Sequence, residues 1–238
     1  MRATALLALL MLLPLSAQDK KKDKKAPPEP KTWMLKKADL LWEEKFEGGA
    51  YGKDWRKGLG TWAVDGDALK GAEVPADKHH AYIQRNIAEP NVIIQFSFKL
   101  DGAGWLGAFF DGKEHVSAVT FDENGLRIGK MSGIGPTSKR TDVDNTKMKL
   151  KDAAWHTMVW EFNGDEMVCT VDDQQMALAK AEGLSMDRNH LELNTAGGAS
   201  ALFKEIKVWK GEPDEKWAQK RAVILNAMKK KPATVGYK

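Results

Sequence analysis

Cysteine is nearly absent: Cys169 stands alone in 238 residues. That excludes an intramolecular disulfide and leaves stability to a large apolar core. The apolar run Ala5–Leu13 falls short of the roughly 20 residues a helix needs to cross a bilayer core of about 30 Å, so it is not read as a permanent span. No cysteine follows it to accept a lipid. Net positive charge is missing from the middle of the chain. The whole carries +4, but the stretch Asp19–Lys37 and the tail Lys210–Lys238 each hold eight basic and three acidic residues, which with Arg2 leaves Ala38–Trp209 at −7. An acidic folded segment excludes nucleic acid as its partner, since phosphate contacts need a basic face. Helical periodicity is also missing between the strand-like runs described below, which excludes an α/β architecture.

The chain opens with Arg2, the apolar run, Pro14 and the small residues Ser16 and Ala17. This order predicts a cleavable signal peptide over 1–17 and a periplasmic or extracellular protein. Residues 18–37 read as a Lys/Pro-rich linker, 38–212 as the folded domain, and 213–238 as a C-terminal helix and basic tail. The basic ends are suited to resting on an anionic envelope surface.

Strands follow from alternation and turn residues. Leu40, Trp42 and Phe46 open the domain, with Glu44 and Lys45 breaking the pattern. Asp65-Gly66 joins Thr61–Val64 to Ala68–Lys70 as a hairpin. In Val92–Leu100 the residues Val92, Ile94, Phe96 and Phe98 share one face. Ala81–Ile87, Trp105–Phe110, His115–Phe121, Leu126–Met131, Trp155–Phe162, Glu166–Val171, Gln175–Ala179, His190–Asn194 and Ala201–Trp209 continue the series, with turns at Asp111-Gly112, Asn124-Gly125 and Asn163-Gly164-Asp165. Ser132–Asp152 is polar and reads as a long loop. Glu212-Pro213-Asp214 precedes a helix with Trp217, Arg221, Ile224, Leu225 and Met228 on one stripe. The expectation is an all-β sandwich of two antiparallel sheets with a C-terminal helix packed on it.

The succession Trp62-Ala63-Val64-Asp65-Gly66-Asp67-Ala68-Leu69-Lys70-Gly71, Gln95–Leu100, Trp155-His156-Thr157, Gly164-Asp165-Glu166-Met167 and Phe203–Trp209 resembles the 3-keto-disaccharide hydrolase domain family, common among exported planctomycete-type bacterial proteins. The resemblance covers nearly all of residues 39 to 212. It implies the concanavalin A-like lectin and glucanase superfamily, hence a jelly-roll sandwich with a concave face and carbohydrate (an oligosaccharide or glycan) as partner. The chain departs from the family where many members carry an Asn-Ser-Gly stretch and then a Glu-x-Gln-x-x-Asp-type strand. Here Gly104–Phe110 and Glu114–Asp122 lack the acid and amide pair. The Glu-x-Asp-x-x-Glu strand of a glucanase, whose carboxylates would lie about 5.5 Å apart, is missing as well.

His115 is the foremost catalytic candidate, a general base able to work near neutral pH if Asp111 or Lys99 partners it and Asp111 or Glu114 assists. Alternation within its strand puts His115, Ser117 and Val119 on one face. Side-by-side imidazoles at His79 and His80 read as a solvated strand entry rather than a metal pair, and His156 is expected to face away from the core. Asp172-Asp173 and Asp165-Glu166 read as solvent-facing hairpin acids. Trp105 and Trp55 are the candidate sugar-stacking residues and Lys99 a further ligand contact, whereas Trp62, Trp155, Trp160 and Trp209 read as core. No cofactor is required by these residues. Calcium is the cation the superfamily resemblance allows, with Glu47 as a ligand among the six to eight oxygens needed. The missing carboxylate pair favours a non-catalytic carbohydrate-binding or surface-interaction module, with a glycoside-processing enzyme as the alternative and a structural envelope protein as a third class.

Overall fold

The computed structural model describes residues 29, 31–123, 125–150, 153–185 and 187–229. The expected signal peptide, most of the expected linker, Asn124 of one expected turn and the end of the basic tail lie outside them.

Among the described residues the chain forms β1 (Leu35–Glu44), β2 (Trp55–Lys57), β3 (Thr61–Asp65), β4 (Ala68–Ala72), β5 (Ala81–Asn86), β6 (Val92–Asp101), β7 (Trp105–Asp111), β8 (Ser117–Asp122), β9 (Gly125–Ser132), β10 (Lys139–Lys147), β11 (His156–Asn163), β12 (Glu166–Val171), β13 (Gln175–Lys180), β14 (His190–Ala196), β15 (Ser200–Pro213) and α1 (Trp217–Lys229). The strands make the expected sandwich. Sheet A runs β13-β12-β11-β6-β15-β4-β3, with β1 also on β15, and sheet B runs β10-β9-β8-β7-β14-β5-β2. Every ladder between these strands is antiparallel.

The core lies between the two inner faces and follows the period-two pattern. Val92, Ile94, Phe96 and Phe98 of β6 meet Leu106, Ala108 and Phe110 of β7 and Val119 and Phe121 of β8, all buried. Phe98 stacks on Phe121 at 4.4 Å and Phe110 meets Phe162 edge-on at 4.9 Å. Each such pair adds about 1 kcal/mol beyond its buried area. Glu44, which breaks the alternation of β1, accepts from Trp55 Nε1 (3.2 Å) and from Arg85 (3.1 Å), so the irregularity anchors two other elements.

Three expectations are corrected. The fold begins inside the expected linker: β1 starts at Leu35, and the N–H groups of Trp33, Met34 and Leu35 all donate to the buried Glu161 at 2.8 Å. The expected loop 132–152 contains β10, a polar edge strand with a bulge between Asp142 and Asp144. Its Thr146 hydroxyl donates to the Met176 carbonyl at 2.7 Å, and Asp144 accepts the Leu178 N–H at 2.9 Å, so it stitches sheet B to edge strand β13 of sheet A. A solvated edge needs no alternating apolar residues. Third, His156 pairs with Phe98 in the ladder and its ring lies 5.6 Å from that ring, so it turns toward the core, held by Asp172 at 2.7 Å.

Helix α1 packs on the outer face of sheet A, as the stripe predicts. Trp217 and Ile224 join Met34, Ile93, Val159 and Trp209 in a second apolar cluster. Glu166, read as a hairpin acid, accepts Trp217 Nε1 at 3.0 Å and pairs with Arg221, which fixes the helix.

Candidate functional site

The outer face of sheet B carries the concentration of polar chemistry. Strand β14 reads His190-Leu191-Glu192-Leu193-Asn194. Leu191 and Leu193 go into the core, so Glu192 and Asn194 fall on the outer face. Glu192 lies opposite Phe109 of β7 and Gln84 of β5 in the ladders. Gln84 donates to Glu192 at 2.6 Å.

At the end of β7 the chain turns sharply through Gly112, where a Cβ would stand 1.5 Å from the Asp187 carbonyl oxygen and no larger residue fits. The turn is closed by Asp111, whose carboxylate is almost fully buried. Its Oδ1 accepts the N–H groups of Val116 (2.7 Å) and Ser117 (3.3 Å), and its Oδ2 meets His115 Nδ1 at 2.6 Å. Both oxygens are committed, so Asp111 orients the imidazole and leaves Nε2 as the free ring nitrogen. The His115 ring stands edge-on to Phe109 at 5.6 Å.

His115 precedes β8, which begins at Ser117. The expected sharing of a face by His115 and Val119 therefore fails: the turn releases His115 from strand alternation and lays it on the outer face, while Val119 enters the core.

The electrostatics of this face are unusual. The hydrogen bond to Asp111, opposed by burial, raises the His115 pKa. Burial pushes the Glu192 carboxyl up to about 7, aided by the charge of Asp111 and opposed by the Gln84 bond. His80 goes down to about 4, mainly by burial, with the charges of His79 and His115 adding to it. Burial likewise lowers His190. A carboxyl raised to about 7 within electrostatic reach of an imidazole that is itself raised has the pattern of an acid–base pair.

Aromatic rings wall the cluster. His80 lies 5.5 Å from Trp105 and 6.0 Å from Phe109, both edge-on, so it is built into this face rather than standing as a solvated strand entry. Trp105 is half-buried at the start of β7. Asn194 is fully buried, and its Oδ1 has no hydrogen-bond partner among the described residues.

Of the residues singled out in the sequence, His115 and Asp111 come together here, while Trp105 stands at the opposite end of β7 and reaches them only through the rings of His80 and Phe109. The others do not. Glu114 is exposed and accepts the Gly133 N–H at 3.2 Å. Trp55 is 4% exposed and packs against Trp42 and Phe46, so it offers no face to a ligand. Lys99 lies on the outer face of sheet A, near Asp101 and the Trp155 ring, out of reach of His115. Glu47 is exposed beyond β1, and no group of three or more His, Cys, Asp or Glu side chains among the described residues could hold a metal. Glu192, Asn194 and Gln84 are not singled out in the sequence reading, and His80 is set aside there as a solvated strand entry. The signal for the first two was the His190–Asn194 alternation, which puts an acid and an amide on the face opposite two leucines.

No protein-family model matches the chain, and no curated protein does. Solved structures do. Carbohydrate-binding module CBM66 from Bacillus subtilis superposes with a TM-score of 0.54 at 15% identity, covering 66% of this chain and 95% of that one. The Bacillus licheniformis β-glucanase gives 0.52 at 12% identity, over 74% of this chain and 100% of that one. A LamA variant from Z. galactanivorans, in complex with laminaritriose and laminaritetraose, gives 0.54 at 11% identity over 73% and 100%. At such identities the likeness is one of fold, and together with the two antiparallel sheets it establishes a concanavalin A-like jelly-roll β-sandwich.

Proposed function

We propose that this chain acts on carbohydrate at the outer face of sheet B, and that it does so by proton transfer rather than by binding alone. The observation that carries this reading is the hydrogen-bonded Asp111–His115 pair within electrostatic reach of Glu192, a carboxyl with a pKa of about 7. A face that only holds sugar gains nothing from a desolvated acid, whereas an acid–base site requires one. Support for the substrate class comes from the fold shared with a carbohydrate-binding module and with a glucanase.

Because both Asp111 oxygens are hydrogen-bonded, Asp111 is a poor nucleophile, and the two-carboxylate route of glucanases is disfavoured. The chemistry that suits one base and one acid is cleavage beside a ketone, in line with the resemblance to 3-keto-disaccharide hydrolases. His115 Nε2 would take the proton from the carbon next to the sugar carbonyl. The electron pair then moves toward the departing glycosidic oxygen, which Glu192 protonates. Trp105 and Phe109 would hold the ring, and the chain would work outside the cytoplasm.

The second reading is a non-catalytic module, favoured by Asp111 having both oxygens committed to His115, Val116 and Ser117 rather than free to act with Glu192. Turnover of a panel of 3-keto-disaccharides and plain β-glucans by the wild type, His115→Ala and Glu192→Gln separates the two. Turnover lost in both variants is expected. Sugar binding without turnover in the wild type would leave the binding module.

A further inference from the structure

We propose that the outer face of sheet A carries a second saccharide-binding site, separate from the acid–base cluster and independent of the reading given for it. A cleft of about 520 Å³ lies there, of the size that takes a small ligand. Two side chains lining it have unpartnered oxygens. Gln95 is 8% exposed and Thr170 2% exposed, and neither Gln95 Oε1 nor Thr170 Oγ1 has a hydrogen-bond partner among the described residues. Buried polar atoms are normally satisfied, so two orphans lining one cleft mark where a ligand's own polar groups would go.

The rest of the cleft is built to match. Glu205, in the middle of β15, has φ +52, a conformation an L residue other than asparagine or aspartate seldom adopts. It occupies the bulge between Lys204 and Lys207, where β15 exchanges β4 for β1 as its neighbour. Such bulges re-aim side chains, and here the Glu205 carboxylate accepts the Ser97 hydroxyl at 3.1 Å, and that same Ser97 hydroxyl lies 3.3 Å from the Thr157 hydroxyl. Just before β11 and outside the cleft lining, Trp155 is 38% exposed although its pattern reads as core. Lys204 and Lys99 stand 4.5 and 5.6 Å from its ring.

The chemistry selects the ligand class. Gln95 Oε1 and Glu205 are acceptors and call for hydroxyl donors. Seven carboxylates among the lining residues, against Lys37, Lys45 and Lys207, repel an anion from the cleft. A neutral polyhydroxylated ring supplies such donors and is not repelled.

The test is titration calorimetry of the full chain with laminaritetraose, cellotetraose and maltotetraose, run on the wild type and on a His115→Ala/Glu192→Gln double variant. The double variant is expected to keep one binding event with at least one of these sugars. Adding Thr170→Val or Gln95→Leu should weaken that event by about tenfold or more, while Thr170→Val, which removes an orphan hydroxyl at constant shape, raises Tm. A double variant that binds none of the three, or affinities untouched by Thr170→Val and Gln95→Leu, would overturn the second site. A lowered Tm for Thr170→Val would overturn it too, by giving that hydroxyl a structural partner. Turnover by the wild type is a separate measurement, so failure of either site is read without the other.

Discussion

A single carboxyl, Glu192, sets much of what this fold can do near neutral pH. In the unfolded chain it titrates near 4.5, and in the folded protein near 7. Below pH 4.5 both states are neutral and the group costs nothing. As pH rises the unfolded state ionises first, so its share of stability is lost progressively up to about pH 7 and stays lost above it, a difference of roughly 3 kcal/mol. His115, whose pKa is raised, acts in the same direction, its stabilisation fading as pH climbs through its folded value. Glu192→Gln should therefore be markedly more stable than wild type at pH 8 and close to it at pH 4, as read by urea unfolding at the two pH values. Equal pH dependence in both proteins would mean the carboxyl is ionised at no cost, and the acid assigned to the reaction would be gone. His80 runs the other way. Its folded value of about 4 lies below its usual 6.5, so it withdraws stability as pH falls through that interval. An unfolding series on His80→Phe between pH 7 and 4 should show a flatter acid limb than wild type.

At the scale of elements, the segment before β1 is held by one residue on another strand. Glu161 accepts three backbone N–H groups, from Trp33, Met34 and Leu35, and is fully buried. Glu161→Ala would leave three donors without their acceptor and a hole beneath them, costing on the order of 3–5 kcal/mol. Hydrogen exchange should show residues 33–35 losing protection before β6 and β11 do. None of this could be read from the sequence, because the acceptor is more than a hundred residues from its donors and Glu161 looks like any polar residue within an alternating strand. The strands themselves were legible where a buried face imposes alternation, as in β6, and where Asp65-Gly66 dictates a hairpin. β10 was not, since an edge strand in solvent carries no such pattern. The site divides the same way. The pairing of Asp111 with His115 could be raised because four residues separate them across a glycine turn, whereas Glu192 reaches the same place from another strand, and only the sheet order brings it there.

For the whole molecule, the two outer faces are treated unequally. Sheet B leaves its outer face to the Asp111–His115–Glu192 cluster, while part of sheet A's outer face is apolar and roofed by α1 and the segment before β1. Ile93, Val159, Val168 and Trp209 are buried there without belonging to the core between the sheets. The sandwich core should consequently survive loss of the roof. A chain ending after Pro213 is expected to keep its far-UV spectrum and the acid–base cluster, because that cluster rests on β5, β7 and β14, which the helix does not touch. It would expose the apolar strip instead, and contiguous apolar surface of that kind drives association. Trp217→Ala tests the same idea more gently. It removes a ring that is 8% exposed and anchored by Glu166, at a cost of about 3–5 kcal/mol if the helix and sandwich unfold as one unit. If the helix instead detaches alone, the main unfolding transition stays where it was and light scattering reports dimers or larger species in the native state. A shortened chain that stays monomeric with an unchanged transition would show that the roof contributes neither stability nor solubility, leaving the apolar strip without a physical reason for its cover.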